Sequence, residues 1–467
     1  MVFSSTVFLF VFFPLLMTIY YNPFFRGRSF RNTVLLAASL GFYAWGEPVF
    51  VFLMIFFIIL TWFLGLVIDK SEKHKKAWLI LGISLQASML FIFKYLSFIT
   101  SQFGKVFHDE RMIIDIALPI GISFFTFQLM SYLFDIYYKK TEVQKNLLNL
   151  GLYVSFFPQL IAGPIVRYKQ IASEIKDRKE SVNDLAAGMK RFIYGLSKKV
   201  LIANYVGQIA DNTFDHLGSR SVMMAWLGAI CYTLQIYYDF SGYSDMAIGL
   251  GRIFGFHIAE NFNYPYISKS VTEFWRRWHI SLSSWFRDYV YIPLGGNRVN
   301  KGRWIRNLFI VWLLTGIWHG ANWTFVCWGL FYFVILLAEK LTKTDKSAEK
   351  GCVRTLFSRI YTMIVIMIAW VIFRSDSMTS AIAYIGNMFG IGAAGLIDKA
   401  VSSYIEATAF VLVISVLGVT PLYSKAVDLL YKKKASWIES VWILILFVLA
   451  LLQVISSTYN PFIYFNF

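Results

Sequence analysis

Charged residues and cysteines are the scarcities of this 467-residue chain. Charged side chains make up 15%, against 57% hydrophobic and 19% aromatic residues. A soluble domain of this size hides its core behind far more charge, so a soluble enzyme is excluded. The three cysteines, Cys231, Cys327 and Cys352, show neither paired metal spacing nor the density of a disulfide scaffold, and no chemistry is assigned to them. Also missing are a P-loop, a dinucleotide-binding fingerprint, a GxSxG elbow and an HExxH pair, which removes the common nucleotide, serine-hydrolase and zinc-peptidase readings. Nothing resembles a nucleic-acid module. There is no internal repeat, low-complexity segment or Pro/Ser-rich linker, so the reading is one transmembrane domain over residues 1–467.

What is present is apolar length. Runs able to enter a bilayer recur at roughly 2–21, 32–47, 48–68, 77–98, 112–136, 222–240, 304–320, 322–338, 356–373, 402–423 and 436–456. Their spacing predicts an all-α polytopic membrane protein with about a dozen transmembrane helices. The first run has no basic region before it, and Arg26, Arg28 and Arg31 follow at once. It is therefore expected as a retained helix with the N-terminus outside, not as a cleaved signal peptide.

Net charge is +17, and its distribution explains it. Lys70–Lys76, Lys139–Lys145, Arg167–Lys199 and Lys340–Lys350 hold basic clusters between apolar runs, where positive-inside bias puts cytoplasmic loops. Part of that charge is free to meet anionic lipid or an anionic substrate.

The middle third is irregular. "FFPQLIAGPIVRY" sets Pro158 and Gly163-Pro164 in an apolar run with basic clusters on both sides. A re-entrant segment is the simplest account, because broken backbone at membrane depth must be buried in protein or line a wet cavity. "SVNDLAAGMKRFIYGLSKKV" opens on Ser181 and Asp184 and alternates apolar with basic positions, which predicts an amphipathic helix along the cytoplasmic surface. "YYDFSGYSDMAIGLGRIFGF" carries Asp239, Ser241, Ser244 and Asp245 among glycines and aromatics such as Tyr243; that polar density implies a protein-lined cavity.

Two histidines stand out. Ser270 and Glu273 form a capping box, so a helix is expected from there to a point before Pro293. On a wheel of 100° per residue, Trp275, Trp278, Leu282, Trp285, Phe286 and Tyr289 fall on one stripe with His279 at its edge. Arg276, Arg277, Arg287 and Asp288 fall outside it, leaving the guanidinium groups to lipid head groups or an anionic donor. His319 lies in "TGIWHGANW", thirteen residues of helix beyond Arg306 and thus about 20 Å below the basic entry. Gly316 and Gly320 clear the space beside it, with Trp318 and Asn322 as neighbours and Asn322 as an available hydrogen-bond partner. An intramembrane histidine is a functional candidate by default; the structural alternative is a core histidine bonded to a helix carbonyl. His74, His108, His216 and His257 sit in polar segments or at helix ends and read as structural. No carboxylate or cysteine joins the pair at ligand spacing, so no metal is expected.

"NYPYISKSVTEFWRRWHISLSSWFRDYVYIPLGGNR" followed by "NLFIVWLLTGIWHGANWTFVCWGLFYF" resembles the membrane-bound O-acyltransferase family, in the branch of bacterial alginate O-acetyltransferases. "SFFPQLIAGPI", the polar segment at 237–256 and the closing "YNPFIYF" extend the likeness over most of the chain, with 120–340 the most family-like part. The resemblance implies a central tunnel with His319 as the essential histidine and His279 as its partner. On this reading Asp239, Ser241, Tyr243, Trp318 and Asn322 line the tunnel, and Arg276, Arg277 and Arg287 bind the donor. It further implies transfer of an acetyl group from a cytoplasmic donor, acetyl-CoA, toward an extracytoplasmic polysaccharide across the bacterial inner membrane. His319 would act as general base or transient acyl carrier, and His279 would orient the thioester or stabilise developing charge. The chain offers no large external domain to grip a polymer, so a partner extracytoplasmic acyltransferase is expected. D-alanyl transfer to teichoic acid, a transporter and a non-enzymatic export-complex component remain the alternatives.

Overall fold

The computed structural model describes residues 1–215, 220–344, 351–433, 435–457 and 459–463. His216 and most of the basic segment at 340–350 lie outside the described residues. Among the described residues the regular structure is helical, with no strand. Among the described residues, six helices have the length and composition to cross a membrane: Phe50–Lys70, Lys75–Phe107, Trp323–Thr342, Cys352–Arg374, Lys399–Gly418 and Ser436–Ser456.

The other apolar runs take different forms. The first becomes the short helical stretch Phe8–Tyr20. The second is helical as far as Ala44, in Arg28–Ala44, 17 residues long. The run at 112–136 is helical only from Ile122, since Gly121 turns the chain with φ +76° just before it. The runs at 222–240 and 304–320 fall in Val222–Ile253 and Lys301–His319. These two carry Asp239, Asp245 and Arg252, and Lys301, Arg303, Arg306 and His319, respectively.

The chain divides into two compact units, one of residues 1–192 with 243–259 and one of residues 193–242 with 260–467. In the first unit, Ile122–Tyr137 is buried almost all round. It holds Gln128, Ser131 and Asp135 in the interior, and the Ser131 hydroxyl donates to Gln128 O at 2.9 Å. The segment around Pro158 is broken as expected and buried from Leu150 to Tyr168. Its freed backbone is satisfied inside the unit: Phe157 N–H donates to Ser39 Oγ at 3.1 Å, and Tyr153 Oη to Val166 O at 3.0 Å.

A second polar core in this unit gathers around Glu180. Its carboxylate receives Arg28 and Arg31, each at 2.6 Å, and the Tyr20 hydroxyl at 2.5 Å. Burial alone would push this carboxyl up, but the hydrogen bonds from Arg28 and Tyr20 hold it below the ordinary glutamate value. The helix predicted from Ser181 forms over Val182–Ser197, with Ser181 Oγ accepting from Asp184 N at 3.0 Å. Gly188 and Gly249 let backbones meet here: a Cβ on Gly188 would stand 2.6 Å from Gly249 O.

In the second unit, Lys301–His319 and Trp323–Thr342 form an antiparallel pair whose contact is set by two glycines. A Cβ on Gly316 would lie 2.4 Å from Phe325 O, and one on Gly329 would lie 2.4 Å from Trp312 O. Without lipid-versus-water hydrophobic drive between helices, such small-residue contacts supply the close packing that holds them. The turn joining the pair is fixed by Asn322, whose Oδ1 accepts from Thr324 N at 3.1 Å while its Nδ2 donates to Asp376 O at 3.0 Å.

Candidate active site

The stripe predicted on the histidine helix is buried: Trp275, Trp278, Leu282, Trp285, Phe286 and Tyr289 all lie in the core. The helix start is also as read, with Ser270 Oγ accepting from Glu273 N at 3.0 Å. One expectation is corrected. The helix is not continuous to Pro293; it stops at Arg277, and a second begins at Ile280. His279 occupies the break with φ 44° and ψ 54°. A left-handed, non-glycine residue costs on the order of 1–3 kcal/mol and persists only where its surroundings over-determine it.

The over-determination comes from Asn261, eighteen residues upstream. Its backbone oxygen accepts from Ile280 N at 3.0 Å, and its side-chain Oδ1 accepts from Ser281 N at 3.1 Å and Ser281 Oγ at 2.9 Å. His279 Nδ1 stands 3.2 Å from the same Oδ1. Two residues on, Asn263 N donates to Arg277 O at 2.9 Å. The strand of chain at 261–263 thus takes up hydrogen-bonding groups that the helix break releases. No periodicity signals this, which is why a wheel drawn through 270–289 misses it.

At the other end of the first short helix sits Glu339, a carboxylate that sequence reading passed over inside an apolar run. It is 2% exposed. Its Oε1 accepts from Val271 N at 2.8 Å, and its Oε2 from Thr272 N at 2.8 Å and Thr272 Oγ1 at 2.7 Å. An anion on a helix N-terminus satisfies orphan donors and complements the helix dipole. The single glutamate amid "FYFVILLAEK" was the available clue.

His319 ends the helix Lys301–His319 and is 4% exposed. Its ring meets Trp318, Trp328 and Phe373 edge-on at 4.9, 5.0 and 5.1 Å between centroids. His279 meets Phe240 at 4.7 Å and Trp318 at 6.1 Å. Trp318 therefore stands against both histidines, bringing together two residues forty positions apart. The glycine after His319 is required by space, since a Cβ on Gly320 would fall 2.2 Å from the Phe325 ring. Burial pushes the imidazole of His279 down to about 3, so it is neutral at physiological pH.

The remaining expected site residues are dispersed. Asp239 pairs with Lys199 at 2.6 Å, both buried, and accepts from Ile463 N at 2.9 Å, so it ties the closing segment into the second unit. The same segment donates Tyr459 Oη to Asp211 at 2.5 Å, and Asp211 pairs with Arg374 at 3.0 Å. Ser241 is buried nearby in sequence, while Tyr243 belongs to the first unit, its ring stacked on Phe3 at 4.7 Å. Asn322 serves the turn described above. Of the arginines, Arg276 and Arg287 are exposed; Arg277 pairs with Glu273 at 2.8 Å and Arg287 with Asp288 at 2.7 Å. Among the described residues no group of three His, Cys, Asp or Glu side chains stands together as a metal site.

The chain is similar to several known proteins. The model of MBOAT, the membrane-bound O-acyltransferase family, matches residues 40–379. The protein named Probable alginate O-acetylase AlgI of Pseudomonas putida is 38% identical over 498 residues, covering 100% of both chains. The Peptidoglycan O-acetyltransferase of Helicobacter pylori is 32% identical over 514 residues, 100% of this chain and 98% of its own. The Teichoic acid D-alanyltransferase of Bacillus subtilis is 28% identical over 269 residues, 54% of this chain and 68% of its own. The chain belongs to the membrane-bound O-acyltransferase family and is an O-acyltransferase.

Proposed function

We propose that this protein moves an acetyl group from a cytoplasmic thioester donor, acetyl-CoA, across the bacterial inner membrane for O-acetylation of an extracytoplasmic polysaccharide. The observation that carries the reading is the end-to-end match to an alginate O-acetylase, 38% identical over 100% of both chains. The D-alanyl alternative has a match over 54% of this chain. The peptidoglycan enzyme, matched over the full chain at 32%, keeps the chemistry as acetyl transfer and varies the polymer.

His319 is the catalytic group in this reading, and two routes balance. As general base, Nε2 or Nδ1 takes the proton of the acceptor hydroxyl as its oxygen attacks the thioester carbonyl; the carbon–sulfur bond breaks and the imidazolium returns the proton to the thiolate. As nucleophile, the imidazole itself takes the acetyl group with release of thiol, then yields it to the hydroxyl. The edge-on rings of Trp318, Trp328 and Phe373 hold His319 in place and keep water from hydrolysing the thioester. His279 orients the bound group beside Trp318. The exposed Arg276 draws the donor's phosphates to the basic end of the short helix. A tunnel past His319, with the N-terminus outside and the basic loops inside, carries the acetyl group outward, where a partner acyltransferase receives it.

The test is direct. His319→Ala, matched for membrane level, should abolish polymer O-acetylation; near-normal acetylation would overturn the assignment. Purified protein in liposomes with internal acetyl-CoA and external glycan should acetylate poorly until the partner is added, and full acetylation by the chain alone would remove the partner from the scheme.

A further inference from the structure

We infer that Asn261 is a positioning residue that fixes the tautomer of His279, leaving Nε2 as a bare acceptor directed to the substrate. The inference rests on the reading of His279 as a site residue and adds the sense in which it acts.

The argument is a proton count. Ser281 N–H can only donate, and it points to Asn261 Oδ1 at 3.1 Å. That contact identifies the atom as the amide oxygen, since an NH2 there would set donor against donor. The same oxygen faces His279 Nδ1 at 3.2 Å. An amide oxygen only accepts, and the Ser281 hydroxyl, 3.5 Å from Nδ1, gives its own proton to that oxygen at 2.9 Å, so the proton of the neutral imidazole sits on Nδ1 and the lone pair on Nε2. His279 is fully buried, and among the described residues its Nε2 has no hydrogen-bond partner. A buried acceptor without a partner in a native protein calls for an explanation, and a substrate donor supplies one.

The chemical consequence is specific. A bare Nε2 accepts from O–H, N–H or S–H; it donates nothing, so it cannot stabilise an oxyanion. His279 therefore orients the donor or acceptor by taking a hydrogen bond from a hydroxyl, an amide N–H or a thiol, and the charge-stabilising role expected from resemblance falls away. The strained backbone at φ 44° fits the same account. Asn261 O holds Ile280 N, which sets where the ring emerges, and Asn261 Oδ1 sets which nitrogen faces out.

The experiment uses the full chain in lipid with 15N-labelled histidine, the His279 signals assigned by their loss in His279→Gln. Wild-type protein should show Nδ1 protonated and Nε2 bare at neutral pH. Asn261→Ala keeps the backbone oxygen and removes only the side chain; it should give mixed tautomers and lower kcat for acetyl transfer about 3- to 10-fold, with donor KM little changed. A protonated Nε2 in the wild type overturns the inference even where the variant fails to fold. Wild-type kcat in a folded Asn261→Ala overturns the positioning role. Full acetylation by His279→Gln would instead refute His279 as a site residue, whatever the tautomer.

Discussion

Replacing Glu339 with alanine should destabilise the second unit and disturb the site without touching either histidine. The carboxylate accepts three hydrogen bonds, from Val271 N, Thr272 N and Thr272 Oγ1 at 2.8, 2.8 and 2.7 Å. Alanine leaves the two backbone donors unsatisfied at a protein-enclosed helix start, each costing on the order of 1–3 kcal/mol. Against that, the variant no longer holds a carboxylate that is 2% exposed, which returns part of the loss. The net expectation is about 2–4 kcal/mol of destabilisation, above the ~1 kcal/mol typical of a surface cap. Glu339→Gln keeps the shape but brings one acceptor and one NH2 to a site made of donors, and should cost about half as much. Because the helix Val271–Arg277 leads directly into His279, acetyl transfer should fall in the same order: wild type, Gln, Ala. Thermal unfolding in detergent and acetylation of membranes at matched protein level give the two readouts. An alanine variant that unfolds at the wild-type temperature would refute the reasoning.

Further outcomes follow from other contacts. Gly316→Ala places a Cβ 2.4 Å from the Phe325 carbonyl oxygen, so the helix pair must separate at a cost of about 1–3 kcal/mol or more; a wild-type melting profile would contradict the packing. The Glu180 carboxyl is held below the usual glutamate range in the folded state, so its stabilisation is present above the unfolded value of about 4.3 and is lost as pH falls through the folded value. Glu180→Gln should flatten acid unfolding in that window, and an unchanged acid limb would exclude the network as its cause. Cysteines introduced at Lys73 and Lys140 should resist membrane-impermeant labels in intact cells if these loops are cytoplasmic; efficient labelling of both would reverse the topology. Arg276→Gln should weaken donor use more than folding, read as donor KM against melting temperature, because Arg276 is exposed.

Much of this protein was determined by the sequence alone, wherever the physics is local. Six of the long apolar runs become helices fit to span, because apolar length is itself the criterion for crossing a bilayer. The Ser270 cap and the buried aromatic stripe follow from short spacings on one turn of helix. The order of the long motifs already pointed to the family. Tertiary structure alone decided the break at His279, because the groups that stabilise it come from Asn261 and Asn263 on another segment. It also decided that Glu339 caps a helix 68 residues away, that Asp239 is committed to Lys199 and the closing segment, and that Trp318 stands against both imidazoles. A buried polar group is defined by its partners, and partners distant along the chain leave no periodicity for a sequence to display.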